Sequence, residues 1–206
     1  TPVVMNGIAY AGSWDRHLRA FDAQTGELRW DFKDGSWGTW TPVVVGRVAY
    51  AGSKDGRLRA FDAETGSLRW SRGFSTDFGN PVVADGIIYV ESDNGLFALD
   101  ANTGDLRWRF RARDEIYTPV VVDGILYAGS KSGHLRTFDA KTGDLRWDFQ
   151  AGDEIYTPAV ADGVVYTASR DFLRAFPVAQ VTSGQYIPDV TWTSDEQFYS
   201  YLIWDK

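Results

Sequence analysis

The segment "AETGSLRW" at residues 63–70 has three near copies in the chain, and these four segments decide the fold. The copies end at Trp30, Trp108 and Trp147. Each follows a short apolar run that ends in Asp, and it contains a Thr-Gly pair. An Asp side chain that caps turn amides, followed by a Gly with positive φ, is typical of a hairpin turn. Each segment therefore predicts a turn into a strand that carries the Trp.

A second motif recurs outside these segments, and it consists of Thr or Asn followed by Pro and two small apolar residues. Its copies begin at Thr1, Thr41, Asn80, Thr118 and Thr157, at spacings of 40, 39, 38 and 39 residues. Most copies are followed by Asn-Gly or Asp-Gly, the pair that a two-residue hairpin with positive φ at both positions prefers. Each unit therefore has room for four short strands joined by hairpins.

A four-stranded antiparallel unit repeated about every 40 residues is typical of β-propeller blades. We therefore expect an all-β fold, with one β-propeller domain of about five four-stranded antiparallel blades and a C-terminal hairpin. The predicted blades are residues 1–40, 41–79, 80–117, 118–156 and 157–186, and the predicted terminal hairpin is residues 187–206. In the fifth unit Pro177 replaces the turn Asp and no Thr-Gly segment follows. Its outer strand is expected within residues 178–186.

Composition excludes several classes of partner. The formal net charge is -7, so a nucleic acid would meet repulsion instead of a basic footprint. No stretch approaches the roughly 18 consecutive apolar residues of a membrane span. Cysteine is absent, which removes disulfides, thiolate nucleophiles and cysteine-based zinc sites. We expect no nucleic-acid partner and no direct membrane insertion.

The four Thr-Gly-to-Trp segments resemble the tryptophan-docking repeat of the PQQ-like, or quinoprotein-type, β-propellers, over residues 1 to about 176. The resemblance implies that Trp30, Trp70, Trp108 and Trp147 each dock against the neighbouring blade over its turn Gly and Ala. The family includes dehydrogenases that hold pyrroloquinoline quinone and calcium. It also includes an outer-membrane assembly lipoprotein and the sensor regions of some bacterial kinases, which hold neither.

The resemblance implies a non-catalytic member without a cofactor. The dehydrogenases of the family use an adjacent-cysteine disulfide against the quinone and a calcium ligand set on long insertions. This chain has no Cys and no such insertion. A fragment of a PQQ-dependent dehydrogenase remains the least favoured alternative.

Candidate binding residues lie in the loops that arrive at the first strand of each blade. If these strands line a central channel, the loops share one face, which we call the channel face, and each blade brings one aromatic to it. The predicted residues are Trp37, Trp40, Phe78, Asp114, Glu115, Tyr117, Asp153, Glu154, Tyr156 and Tyr186. Aromatics among carboxylates suit stacking on sugars, contact with a partner's apolar side chains, or binding of a basic peptide. The same residues could instead plug the channel and solvate the loops.

Catalytic and metal chemistry are not expected. Glycoside hydrolysis needs two carboxylates across a bond, one with a raised pKa, whereas Asp114 and Glu115 are adjacent and expected to be solvated. His17 and His134 occupy equivalent positions in the first and fourth units, too far apart to share a metal ion, and are expected to be exposed turn residues. The arginines beside each Trp are expected to pair with Asp or Glu.

Together these patterns predict a protein-interaction or sensory domain of a larger bacterial protein, located in the periplasm or outside the cell. Its partner would be a protein, a small ligand or a glycan bound on the channel face. The alternative is a lectin-like, glycan-binding propeller with aromatic and acidic pockets. The sequence predicts no oligomeric state.

Overall fold

In the part of the chain that the structure describes, the strands form five four-stranded antiparallel sheets. The computed structural model describes residues 2–33, 41–74, 76–93, 95–112, 114–183 and 190–193. In every sheet the strands lie side by side in chain order. Repeated four-stranded sheets of this kind are β-propeller blades, so the predicted fold class is confirmed. The chain divides into two compact units, residues 1–118 and residues 119–206, which we call unit 1 and unit 2.

Unit 1 holds the first three sheets. The first consists of β1 (Val3–Met5), β2 (Ile8–Gly12), β3 (His17–Asp22) and β4 (Leu28–Lys33). The second consists of β5 (Val43–Val45), β6 (Val48–Gly52), β7 (Arg57–Asp62) and β8 (Leu68–Gly73). The third consists of β9 (Val82–Ala84), β10 (Ile87–Ser92), β11 (Gly95–Asp100) and β12 (Leu106–Arg111).

Unit 2 holds the other two sheets and a short helix. The fourth sheet consists of β13 (Val120–Val122), β14 (Ile125–Gly129), β15 (His134–Asp139) and β16 (Leu145–Gln150). The fifth consists of β17 (Ala159–Ala161), β18 (Val164–Ala168), β19 (Phe172–Pro177) and β20 (Val190–Thr193). The helix α1 (Val178–Ser183) lies between β19 and β20 in the chain. No described helix is long and apolar enough to cross a membrane.

The end of the fifth sheet differs from the expectation. Residues 178–183 form α1 instead of an outer strand, because Val178 and Val181, three residues apart, turn one face toward the core of unit 2. The Thr137 hydroxyl donates to the Val181 carbonyl at 2.7 Å and holds the helix in place. The outer strand is β20, which lies inside the segment predicted as a terminal hairpin. The rest of that segment lies outside the described residues.

The turn before each outer strand of the first four sheets is built by its Asp. In the second sheet, Asp62 Oδ1 accepts hydrogen bonds from the amides of Glu64 and Thr65. Asp62 Oδ2 accepts from Arg69 Nη2 at 2.7 Å. These bonds stabilise the carboxylate, the Arg69 bond most of all, and they lower the pKa of Asp62 to about 2. Gly66 then takes a φ of 73°, as the sequence predicts.

The same Arg–Asp pair recurs at the start of each of these outer strands. The pairs are Arg29–Asp22, Arg69–Asp62, Arg107–Asp100 and Arg146–Asp139, with N–O distances of 2.6 to 2.7 Å. The predicted pairing of these arginines with carboxylates is confirmed. All four pairs are partly exposed, so each contributes little to stability.

The indole of Trp30 joins the first sheet to the second. Its Nε1 donates to the Ala63 carbonyl at 3.0 Å, and the Tyr10 hydroxyl donates to the same oxygen at 3.2 Å. The ring stacks on Phe61 with centroids 6.3 Å apart. A Cβ at Gly66 would lie 2.7 Å from Trp30 Cδ2, so only Gly leaves room for the indole. The turn Gly therefore serves both the local φ and the sheet-to-sheet contact.

Trp70 repeats this contact between the second and third sheets. Its Nε1 donates to the Ala101 carbonyl at 3.1 Å. A Cβ at Gly104 would lie 2.7 Å from Trp70 Cε3. The repeated segment in the sequence therefore encodes a repeated joint between neighbouring sheets.

The other two repeat tryptophans pack against aromatic rings. Trp108 lies 6.0 Å from Tyr89 of its own sheet, between ring centroids. Trp147 stacks on Phe149 at 5.5 Å and makes an edge contact with Phe176 of the fifth sheet, also at 5.5 Å. The fifth sheet has no Thr-Gly turn, and an aromatic contact joins the two sheets of unit 2.

Candidate functional site

The loop at residues 153–156 in unit 2 is fixed to the sheets beneath it. Ile155 is fully buried, and its amide donates to the Ser130 carbonyl at 2.9 Å. The Tyr156 amide donates to the Ala168 carbonyl at 3.0 Å. A Cβ at Gly129 would lie 2.3 Å from the Tyr156 carbonyl oxygen, so the loop backbone rests directly on the end of β14. The buried Ile155, which is not among the residues predicted for the binding face, anchors the loop.

The side chains of this loop form a small charged cluster. Glu154 Oε2 lies 3.7 Å from Arg170 Nε, and Asp153 Oδ1 accepts a hydrogen bond from the Glu154 amide at 2.8 Å. The Tyr156 ring is 36% exposed. The hydrogen bond with Tyr156, followed by the nearby negative charges, raises the pKa of Arg170. The loop therefore presents an aromatic ring beside an acid–base pair, on a backbone that is held rigidly.

The loop at residues 114–117 in unit 1 buries its Ile in the same way, but its Glu is the exposed residue and its Tyr is half-buried. Ile116 is buried at 2% exposure, Glu115 is exposed, and Asp114 and Tyr117 are half-buried. Each Asp-Glu-Ile-Tyr copy therefore buries its Ile and leaves the acids and the ring nearer the surface. The buried Ile of each copy therefore anchors the loop, and the acids and the Tyr are the side chains that can meet a partner.

Other predicted channel-face residues have different outcomes. Phe78 is fully buried, because its ring makes edge contacts with Phe74 at 5.2 Å and with Phe97 at 5.3 Å. It is a core residue, and its assignment to the binding face was wrong. Trp37, Trp40 and Tyr186 lie outside the described residues.

A family model described as the outer membrane protein assembly factor BamB matches residues 14–170 and, in a second match, residues 112–196. The chain belongs to this family. The resemblance to PQQ-like repeat β-propellers is thereby confirmed. A search of curated protein sequences gives no match.

Three solved structures that resemble this BamB-family chain are longer than it is, and the chain spans 60% or less of each. BamB from Moraxella catarrhalis is 24% identical with a TM-score of 0.78, over 88% of this chain and 58% of that one. The computationally designed Ika8 protein is 19% identical with a TM-score of 0.80, over 92% and 60%. Quinohemoprotein alcohol dehydrogenase from Comamonas testosteroni is 19% identical with a TM-score of 0.74, over 94% and 42%. These likenesses establish the fold and leave activity open.

Within this BamB-family chain, the third sheet departs from the repeat. Glu91 occupies the position that is Gly12, Gly52 and Gly129 in other sheets, and Gly79 stands where an aromatic precedes the Thr-Pro pair. The two changes compensate, because a Cβ at Gly79 would lie 2.2 Å from Glu91 Oε1. The carboxylate therefore fills space that Gly79 leaves open.

The Glu91 side chain connects separate loop segments of unit 1. Its Oε1 accepts from the Asn80 amide at 3.1 Å and from the Thr118 hydroxyl at 2.9 Å. Asn80 Oδ1 in turn accepts from the Thr41 amide at 3.2 Å. Glu91 Oε2 is buried without a hydrogen bond to a described residue. Burial raises the pKa of Glu91, because it outweighs the hydrogen bonds from the backbone of Glu91 itself, from Thr118 and from Asn80.

Because the pKa of Glu91 is raised in the folded state, ionisation of this carboxyl lowers the free energy of unfolding. Glu91→Gln removes this pH-dependent loss. A carboxyl whose pKa is higher in the folded state stabilises the fold when protonated, and this stability is lost as pH rises through the folded pKa. We expect the unfolding free energy of Glu91→Gln, relative to the wild type, to rise between pH 4 and pH 7. Urea unfolding followed by circular dichroism at the two pH values measures it.

Glu27→Gln, which removes an exposed carboxylate, controls for the change in net charge. A Glu91→Gln difference that is constant between the two pH values would show that this carboxyl titrates alike in the folded and unfolded chains.

The two histidines begin strands β3 and β15 and are mostly buried, whereas exposed turn residues were expected. His17 Nδ1 lies 2.6 Å from Asp31 Oδ1, and His134 Nδ1 lies 2.6 Å from Asp148 Oδ1. Their side chains are 19% and 22% exposed, because each imidazole lies against the neighbouring outer strand. Within the described ranges, no group of three His, Cys, Asp or Glu side chains is placed to hold a metal ion.

Proposed function

We propose that the chain is a non-catalytic, protein-binding β-propeller module of a larger bacterial protein that works outside the cytoplasm. Membership of the BamB family supports this proposal, because the family is described as an outer membrane protein assembly factor. The solved relatives extend well beyond the matched region, which supports a role as part of a longer chain. We assign it no cofactor and no catalytic residue.

The anchored loop at residues 153–156 carries the proposal. A rigid loop that exposes an aromatic ring beside charges of both signs loses little conformational entropy when it binds. Tyr is also among the residues that contribute most to protein interfaces. We therefore place partner binding at Tyr156, Glu154 and Asp153, and at the matching residues Tyr117, Glu115 and Asp114 of unit 1.

Photo-crosslinking at Tyr156 tests this assignment. With p-benzoylphenylalanine in place of Tyr156, which preserves an aromatic ring, we expect irradiation in an envelope extract of the host to give one discrete crosslinked protein. The band should weaken at least about tenfold when Glu154→Ala and Asp153→Ala are added, because the charges beside the ring are lost. Immunoblotting and mass spectrometry of the band provide the measurement.

The same photo-reactive residue at Asn102, an exposed turn residue of the third sheet, is the matched control. Equal crosslinking at Asn102 and Tyr156 would contradict the proposal. Glycan binding is the second candidate, because the exposed Tyr156 ring beside Glu154 and Arg170 also suits a sugar. Glycan-array signal that disappears in Tyr117→Ala, Tyr156→Ala, without any protein crosslink, would replace protein binding by lectin-like binding.

A further inference from the structure

The outer strand of the third sheet differs chemically from those of the first and fourth sheets. The residue after the repeat Trp is Asp31 in β4 and Asp148 in β16, but Arg109 in β12. Asp31 and Asp148 each face a histidine, and Asp148 Oδ2 also lies 3.0 Å from Arg136 Nε. In the first and fourth sheets, side chains of the same sheet therefore neutralise the charge of this Asp.

In the third sheet the partners of this position are different. The residue directly across from Arg109 is Phe97, where the first and fourth sheets have arginines. The residue across from Arg111 is Gly95, where they have histidines. One carboxylate is replaced by a guanidinium, and the groups opposite carry no charge. Where the first and fourth sheets have ion pairs, the third sheet therefore has two arginines beside an aromatic ring.

These residues line a cleft of about 530 Å³ between the ends of the second and third sheets. Arg109 and Arg111 lie on one side of it, Phe97 and Phe74 form an apolar wall, and Thr76 adds a hydroxyl group. The two phenyl rings contact each other with centroids 5.4 Å apart. The cleft thus combines two cations with an aromatic surface.

Arg109 and Arg111 also stand out among the arginines of unit 1. Among the described residues of this unit, ion pairs with carboxylates are made by Arg19, Arg29, Arg47, Arg57, Arg59, Arg69, Arg72 and Arg107. Across the described part of the chain, neither Arg109 nor Arg111 makes an ion pair or a side-chain hydrogen bond. In a chain with a net charge of -7, two exposed guanidinium groups without carboxylates are suited to an incoming anion.

We propose that this cleft binds an acidic segment of a partner polypeptide, with carboxylates on Arg109 and Arg111 and an apolar side chain on Phe74, whose ring is backed by the buried Phe97. The inference rests on the proposed role in protein binding and adds a second contact to it. Arg109 and Arg111 are two residues apart on one strand, about 6.6 Å along it, which matches alternate side chains of an extended peptide. A nucleic acid would also supply anions, but the acidic chain repels a polyanion.

Fluorescence anisotropy with two labelled hexapeptides tests the cleft. The probes are Gly-Phe-Glu-Phe-Glu-Gly and Gly-Phe-Gln-Phe-Gln-Gly, both capped at each end, so they differ only in the carboxylates. We expect the wild type to bind the Glu peptide at least about tenfold more tightly than the Gln peptide, with affinity falling as salt is added. Arg109→Ala, Arg111→Ala should abolish this difference.

Arg47→Ala, in which an exposed arginine outside the cleft is lost, is the charge control and should bind as the wild type does. Arg109→Lys, Arg111→Lys retains both charges and should bind with intermediate affinity, because lysine lacks the guanidinium's paired donors. Equal binding of the two peptides, or full binding by the double Ala variant, would overturn the inference. Preference for a matching phosphoserine peptide over the Glu peptide would overturn the choice of carboxylate.

The two proposals fail separately. Loss of the Tyr156 crosslink with peptide binding intact would reject the loop at residues 153–156 as a binding site, and leave the cleft. Loss of the peptide preference with the crosslink intact would reject the cleft alone.

Discussion

Trp30→Ala is expected to lower the free energy of unfolding by about 3–5 kcal/mol, the usual cost of truncating a buried Trp. The indole is 8% exposed and packs between Tyr10 and Phe61, with ring centroids at 6.0 Å and 6.3 Å. Its removal leaves a cavity at the joint between the first two sheets and deletes the hydrogen bond to Ala63. Urea unfolding followed by far-ultraviolet circular dichroism measures the loss without relying on Trp fluorescence.

Trp14→Ala is the matched control, because Trp14 is 74% exposed in the turn after β2. Its ring contacts the Lys54 ammonium, 4.7 Å from the centroid, an exposed contact worth about 0.5–1 kcal/mol. If the two substitutions cost the same, the indole of Trp30 would not be the joint between the sheets.

Gly95→Ala is expected to cost about 2–6 kcal/mol, from backbone strain and from overpacking together. Gly95 has a φ of 132°, a conformation that side chains disfavour. A Cβ there would also lie 2.0 Å from the Phe110 carbonyl oxygen, which belongs to the neighbouring strand and has no flexible end to move. The same urea titration measures the loss.

Gly86→Ala in the same sheet separates the two causes. Gly86 has a φ of 72°, but a Cβ there meets nothing within 4 Å. Its substitution should therefore cost only the left-handed strain, about 1–2 kcal/mol. A Gly95→Ala loss no greater than that of Gly86→Ala would show that β11 and β12 can separate at little cost.

The repeat made most of the fold predictable from sequence. Asp62, Thr65 and Gly66 act within one turn, so their types and spacing state the local structure directly. The fifth sheet was less predictable, because its helix follows from the burial of Val181 in a core that only the folded unit creates.

The candidate sites were predicted in part. The Asp-Glu-Ile-Tyr repeats pointed to the loops, but one aromatic per blade was too simple a rule for the third sheet. There Phe78 turns inward to Phe74 and Phe97, and Glu91 takes the space beside Gly79. Comparison of Glu91 with the aligned glycines was the available signal, and it becomes interpretable only once β10 is known to face that loop.

The number of sheets and their hairpins could be predicted from the sequence, because each hairpin depends on residues within one repeat. The tryptophan joints connect two repeats, and the recurrence of the same segment made them predictable. Which charges are neutralised depends on contacts between strands, and these could not be read from one repeat. Asp31 and Arg109 occupy the same repeat position. Asp31 pairs with His17, whereas Arg109 lines a cleft with Phe97. The reason is that strand register brings together side chains more than ten residues apart, and one substitution in the facing strand changes the chemistry of the pair.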